Sequence, residues 1–177
     1  MIKKFITIIL ISLIWNTPLF SAENSSNSSS KVNSDGRDDT GYYSEKKDSN
    51  FKIGLAAIKK AKKYEKKEKK EKSKKQFNKA IKYLALANKE NPSQPDILNY
   101  LGYSLRKVND FSMAEIYYLQ GLEIDPNHIG INEYLGELYV QTNRLNKAKE
   151  RLKILENCNC KEFKELNDAI KRGSSKY

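Results

Sequence analysis

Residues of the same type recur every 34 positions in the central and C-terminal parts of this chain. The recurring residues are Ala80, Ala114 and Ala148, Gly102 and Gly136, and Pro92 and Pro126. The segments around the glycines are also alike, since Asn99-Tyr100-Leu101-Gly102 is followed 34 residues later by Glu133-Tyr134-Leu135-Gly136. A period of this length corresponds to a unit of two short helices, which buries its apolar face only by stacking on neighbouring units. The repeat therefore predicts a stack of helical hairpins.

Each predicted hairpin carries a small residue on both of its helices. Antiparallel helices approach closely only where side-chain bulk is missing, so we expect Gly102 to face Ala114 and Gly136 to face Ala148. Pro126 lacks an amide hydrogen and disfavours helix before it, so it should end a hairpin. The predicted turns within the hairpins are Asn109-Asp110 and Asn143-Arg144.

The pattern resembles the tetratricopeptide repeat over roughly residues 51–155. The clearest copy has Leu98, Leu101, Gly102, Leu105, Ala114, Tyr118 and Pro126 at the family positions. The next copy keeps Leu135, Gly136, Tyr139, Ala148 and Leu152. It departs at Asn132, where a large apolar residue is usual, and at Cys160, where a proline is usual. An earlier second helix is marked by Ala80, Leu84, Ala87 and Pro92.

The resemblance implies an all-α fold, a short right-handed superhelical solenoid of about three hairpins. We place the hairpins at about residues 51–91, 95–125 and 129–156, followed by a capping helix at 161–172 and a tail at 173–177. The last helix has an apolar stripe that suits the open end of a stack, formed by Phe163, Leu166, Ala169 and Ile170. Three repeats are the minimum for independent stability, and we expect a monomer.

The N-terminal part has the composition of an export signal and a tether. Residues 1–22 combine Lys3 and Lys4 with an apolar run and small residues at the end, which is typical of a signal peptide, an uncleaved anchor being the alternative. Residues 23–50 are rich in Ser, Asn and Asp and predict a disordered linker. The chain is therefore expected in the periplasm or secreted.

Charge is distributed unevenly along the chain. The whole sequence has 33 basic and 22 acidic residues, whereas residues 51–89 contain 15 Lys and three Glu. The spacing from Gly54 to Ala80 exceeds that from Gly102 to Ala114 by 14 residues, so the first hairpin carries a basic insertion. We predict a Lys-rich helix over residues 59–75, centred on Lys62 to Lys75 and supported by Glu–Lys pairs four residues apart.

The Lys-rich segment has three possible roles. It is a solvated extension, or it contacts an anionic membrane or an acidic partner, or it contacts nucleic acid, which export makes unlikely. The segment between Lys62 and Lys75 has only Tyr64 as an apolar residue, so a membrane contact there would be electrostatic and salt-sensitive.

The sequence contains no recognisable catalytic, cofactor or metal motif. Its single histidine, His128, lies in the predicted turn between two hairpins and has no nearby nucleophile. We therefore expect no enzyme activity, no cofactor and no metal.

Cys158 and Cys160 are the only thiols. After export they would meet an oxidising compartment, which favours a disulfide across a tight bend at Asn159. A redox role for a strained bridge and free or intermolecular thiols are the alternatives. A disulfide would hold the turn before the capping helix, an arrangement similar to that of exported bacterial repeat proteins.

The resemblance also implies a binding groove lined by the first helix of each hairpin. The matching positions are Asn99, Tyr103, Arg106 and Lys107 from one hairpin and Glu133, Glu137, Val140 and Gln141 from the next. The alternative is that they are ordinary exposed residues. Relatives that clamp a terminal carboxylate use a Lys and Asn array of which Asn99 alone is present. A Tyr-rich lining of mixed charge suits a protein or peptide partner with apolar and basic features.

Overall fold

The computed structural model describes the backbone of residues 39–174 and the side chains of residues 49–174. Within this range the chain forms seven helices and no strand. They are α1 (Asp39–Glu65), α2 (Lys70–Glu90), α3 (Pro95–Lys107), α4 (Phe111–Ile124), α5 (Ile129–Gln141), α6 (Leu145–Ile154) and α7 (Lys161–Arg172). The predicted all-α helical-repeat fold is confirmed.

The helices form three hairpins and a final helix. α1 packs on α2, α3 on α4 and α5 on α6, while α7 packs against both α5 and α6. The first helices also contact one another, α1 with α3, α3 with α5 and α5 with α7, whereas α2, α4 and α6 do not approach one another within 8 Å between Cα atoms. The stack therefore curves. We call the side formed by α1, α3, α5 and α7 the inner face, and the side formed by α2, α4 and α6 the outer face.

The first helix begins earlier than the sequence predicted. α1 starts at Asp39 rather than at residue 51, so the last part of the predicted disordered linker is helical. Extending an existing helix costs much less than nucleating a new one, so a helix anchored by packing further along can grow into a polar segment. The predicted signal peptide, linker residues 23–38 and tail residues 175–177 lie outside the described residues. Among the helices that the structure describes, none has the length and apolarity needed to span a membrane.

The turns inside the second and third hairpins are built as their sequence predicts. Asn109 has a φ of 69° and Asn143 a φ of 58°, the left-handed conformation that asparagine tolerates better than most residues. Asp110 then starts α4, because its side chain accepts a hydrogen bond of 3.2 Å from the amide of Met113. These local signals set the positions of α3 to α6 along the chain.

The two glycines of the repeat permit the close approach of large side chains. A Cβ atom on Gly102 would lie 2.5 Å from the ring of Tyr118, and one on Gly136 would lie 2.5 Å from the side chain of Leu166 in α7. Ala114 and Ala148 are fully buried in the core. The two glycines thus accommodate large side chains, because the hole left by a missing side chain is filled by a bulky one. The predicted facing of each glycine and alanine stays a prediction.

The basic insertion does not form the single helix predicted for residues 59–75. The chain reverses at residues 66–69, where Glu68 has a φ of 56°, so the insertion lengthens both α1 and α2. The hydroxyl of Ser73 donates a 3.1 Å hydrogen bond to the carbonyl of Ala61, which joins the two extended helices. Glu65 pairs with Lys107 of α3 at 2.5 Å. Packing across the hairpin therefore outweighs the weak pairs along one helix.

Candidate functional site on the inner face

Aromatic rings from three helices meet on the inner face. The ring of Tyr103 in α3 lies 4.9 Å from that of Tyr134 in α5 and 5.9 Å from that of Phe77 in α2. The ammonium of Lys62 in α1 lies 4.7 Å from the centre of the Tyr103 ring, a distance that favours a cation–π contact. Burial lowers the pKa of Lys62, against the opposing influence of Glu133 and Glu65. The three rings therefore form an apolar cluster, and the ammonium group of Lys62 lies against the ring of Tyr103.

A buried ion pair connects the second and third hairpins. The guanidinium of Arg106 donates to Glu137 at 2.9 Å and to the side-chain oxygen of Gln141 at 3.1 Å. The side chains of Arg106 and Glu137 are both fully buried. Burial disfavours the charged form of Arg106, but Tyr118 and Glu137 outweigh it and raise the pKa of the guanidinium. The inner face therefore holds a charged pair away from water.

Carboxyl groups gather where α5 faces the final helix. Burial, a hydrogen bond with Glu165 of α7 and the charges of Glu137 and Glu162 raise the pKa of Glu133 to about 9. Two carboxyl groups in contact are most stable when one keeps its proton and donates a hydrogen bond to the other. At neutral pH Glu133 is therefore protonated, and it contributes to the contact between α5 and α7.

Three buried polar atoms of the inner face make no hydrogen bond within the described part of the chain. They are Oδ1 of Asn99, the hydroxyl of Tyr103 and Oε1 of Glu133. Asn99 and Glu133 occupy equivalent positions 34 residues apart, and Tyr103 lies one helical turn after Asn99. Buried polar atoms without a partner are rare in folded proteins and call for an explanation.

The residues predicted to line a groove all lie on the inner face, but most of them are not exposed. Six are at most 5 % exposed, namely Asn99, Tyr103, Arg106, Glu133, Glu137 and Val140. Lys107 is partly buried beside Glu65, and Gln141 alone is exposed. Most of them are therefore not ordinary exposed residues, because side chains from neighbouring hairpins contact one another across the curved stack. Their role in binding stays a prediction.

Other contributors to this site were not predicted. Tyr134 is adjacent to the predicted Glu133, but its ring contact with Tyr103 depends on how the hairpins stack. The sequence analysis placed Glu165 in the capping helix and Lys62 in the Lys-rich helix, and it gave neither residue a role on the inner face.

The remaining candidate residues have structural contacts. His128 starts α5, where its Nδ1 accepts a 3.1 Å hydrogen bond from the amide of Ile131. Cys158 and Cys160 have Cα atoms 5.1 Å apart and are bonded through their sulfur atoms, across Asn159, which has a φ of 48°. Across the described residues, no group of three His, Cys, Asp or Glu side chains is arranged to hold a metal ion.

A cavity of about 750 Å³ opens at the tip of the first hairpin. It lies between the α1–α2 turn and the α3–α4 turn, and its walls alternate in charge. Its charged lining residues are Glu65, Glu68, Lys70, Glu71, Lys74 and Lys107. The lining therefore carries three acidic and three basic side chains.

The chain is similar to known proteins in the sequence of one segment and in its fold. Residues 95–128 match the tetratricopeptide repeat. The TPR domain of Arabidopsis OM64 superimposes with a TM-score of 0.51 at 18% identity, covering 70% of this chain and 98% of that chain. The TPR2B domain of yeast Sti1, in its complex with pHsp70, gives 0.52 at 17% identity, covering 68% and 95%. No curated protein matches the sequence.

Proposed function

We propose that this chain, which carries a tetratricopeptide repeat and has the fold of that family, is a non-catalytic protein-interaction module that binds an extended peptide segment through its inner face. The observation that carries the proposal is the set of unsatisfied atoms on Asn99, Tyr103 and Glu133. An extended peptide has main-chain amide and carbonyl groups that can pair with such atoms without regard to side-chain identity. The comparison fold in complex with pHsp70 supports a partner-binding role by analogy.

The inner face favours a peptide with apolar and basic side chains. Tyr134, the only half-buried ring of the three, offers an apolar contact surface that is backed by the buried ring of Tyr103. The carboxyl groups around Glu133 favour a cation, because a nearby positive charge would stabilise the ionised form of this residue. A Lys or Arg side chain of the partner would therefore bind beside α5 and α7 and release the proton of Glu133.

Tyr103→Phe tests this proposal without disturbing the packing of the ring. We expect the affinity for peptides of alternating apolar and basic residues to fall about fivefold, which corresponds to the loss of one hydrogen bond of roughly 1 kcal/mol. The measurement is fluorescence anisotropy with a labelled synthetic library of such peptides. Because the hydroxyl has no partner in the described chain, the thermal midpoint should not decrease.

Tyr83→Phe on the outer face is the matched control and should leave the affinity unchanged. If both variants bind as tightly as the wild type, or if the library shows no binding at all, the inner face is not the peptide site. Equal weakening by the two variants would also contradict the proposal.

We place this module outside the cytoplasm. The signal-like residues 1–22 support export, and the Cys158–Cys160 bond suits an oxidising compartment. The disulfide would hold the turn that leads into α7. Recovery of the chain with the cytoplasmic fraction after spheroplast formation, with both thiols open to alkylation, would contradict this assignment.

The basic tip of the first hairpin supports a second function, contact with an anionic membrane or an acidic partner. Its lysines from Lys66 to Lys75 are exposed, so their charges are available to a partner. Replacing them with glutamine should abolish salt-sensitive binding to anionic vesicles. The same variant should keep its affinity for the peptide library, because the cation over the Tyr103 ring is Lys62, which is not among the replaced lysines.

A further inference from the structure

The outer face carries an exposed apolar stripe on its central helix. Met113, Ile116 and Leu119 of α4 are 39%, 44% and 42% exposed. They lie three residues apart, so their side chains follow one side of the helix. Single exposed apolar residues are common, whereas three in a row on one helix are a candidate contact surface.

The 34-residue repeat provides an internal comparison for this stripe. The matching positions are Lys79, Lys82 and Ala85 in α2, and Lys147, Glu150 and Lys153 in α6. All six of these residues are exposed, like their counterparts in α4. At these positions only the central repeat carries large apolar side chains, whereas four of the six matching residues are lysines and the other two are Ala85 and Glu150.

The curvature of the stack determines which surface this stripe can meet. First helices contact one another and second helices do not, so the outer face is convex and α4 is its middle element. The middle of a convex surface touches a flat surface first. A lipid interface can deform around such a ridge.

The charged side chains around the apolar stripe also indicate what kind of partner covers it. A second copy of this chain would bring lysines against lysines across a symmetric contact, and like charges in contact are unfavourable. An anionic lipid surface attracts the same lysines, while their long stems let the ammonium groups reach the headgroups. Apolar residues flanked by lysines are the combination found in helices that lie in a membrane interface.

We propose that the outer face of α4 docks on an anionic lipid surface, with Met113, Ile116 and Leu119 entering the interface and the lysines of α2 and α6 contacting the headgroups. This contact lies opposite the inner face and is separate from the basic tip. Unlike a purely electrostatic contact, it has an apolar component that persists at high salt. The protein can therefore hold a peptide and a membrane at the same time.

A tryptophan reporter tests the contact at the stripe itself. The full chain has one tryptophan, Trp15, so Trp15→Phe leaves a background into which Ile116→Trp is introduced. Equimolar phosphatidylcholine and phosphatidylglycerol vesicles containing brominated acyl chains are then added, and tryptophan quenching is measured. Because the reporter lies in α4, lipid contact by another part of the chain does not register.

The control is Ile129→Trp in the same background, since Ile129 is 39% exposed but lies at the start of α5. We expect quenching of the reporter at position 116 to be roughly threefold stronger than at position 129, with a blue shift in its emission. Equal quenching at the two positions, or no quenching at position 116, overturns the proposal. A concentration-dependent dimer without vesicles that Ile116→Gln abolishes would identify a second copy as the occupant and would also overturn it.

Discussion

Arg106→Met is expected to lower the free energy of unfolding by about 3–5 kcal/mol, the usual effect of removing one partner from a buried ion pair. The guanidinium contacts Glu137 at 2.9 Å and Gln141 at 3.1 Å, and both charged side chains are fully buried. Methionine fills a similar volume but cannot compensate the carboxylate. Chemical denaturation followed by circular dichroism measures the loss.

Two further variants show whether the loss arises from the ion pair. Arg172→Met changes an exposed arginine at the end of α7 and should have little effect on stability. The double variant Arg106→Met with Glu137→Leu should recover much of the lost stability, because it replaces both charges with apolar groups. A loss in the double variant equal to the sum of the two single losses would contradict coupling between these residues.

Glu133→Gln is expected to remove a large part of the pH dependence of stability. The pKa of Glu133 is about 9 in the folded chain and has an ordinary value of 4.5. Between these values the folded state keeps a proton that the unfolded state releases, so stability falls as pH rises, by about 1.4 kcal/mol per pH unit. This contribution is complete below pH 4.5 and is lost by about pH 9. Glutamine keeps a donor for Glu165 at every pH, so the variant should be the more stable protein at pH 8.

The measurement is the unfolding free energy from pH 5 to pH 9 for the wild type and the variant. Glu123→Gln, at an exposed position of α4, is the control and should run parallel to the wild type. Parallel curves for Glu133→Gln and the wild type would show that Glu133 does not hold its proton in the folded chain.

Much of the architecture could be predicted because its signals are local. The asparagines at positions 109 and 143 adopt left-handed turns through their own side-chain chemistry, and Asp110 caps α4 within one helical turn. The 34-residue period set the pairing of helices, and the apolar stripe of residues 161–172 identified the final helix. None of these inferences depended on contacts between residues of different hairpins.

The basic insertion could not be predicted in the same way. Its sequence favours helix throughout, and the Glu–Lys spacing gave no reason for a break. The reversal near Glu68 extends the α1–α2 packing and brings Glu65 to Lys107, both of which involve residues far apart in the chain. Each pair along the helix is worth only a few tenths of a kcal/mol, so the long-range contacts prevailed.

Composition and period were sufficient to identify a helical-repeat stack and the residues on its inner side, because helix formation, turn formation and periodic burial depend on neighbours in the chain. Whether those residues are open or covered depended on the curvature of the stack. Arg106 and Glu137 are 31 residues apart, and Glu133 reaches Glu165 of another helix. Such contacts form only once the hairpins are packed at a particular angle, and the burial that shifts the pKa of Glu133 arises from that packing.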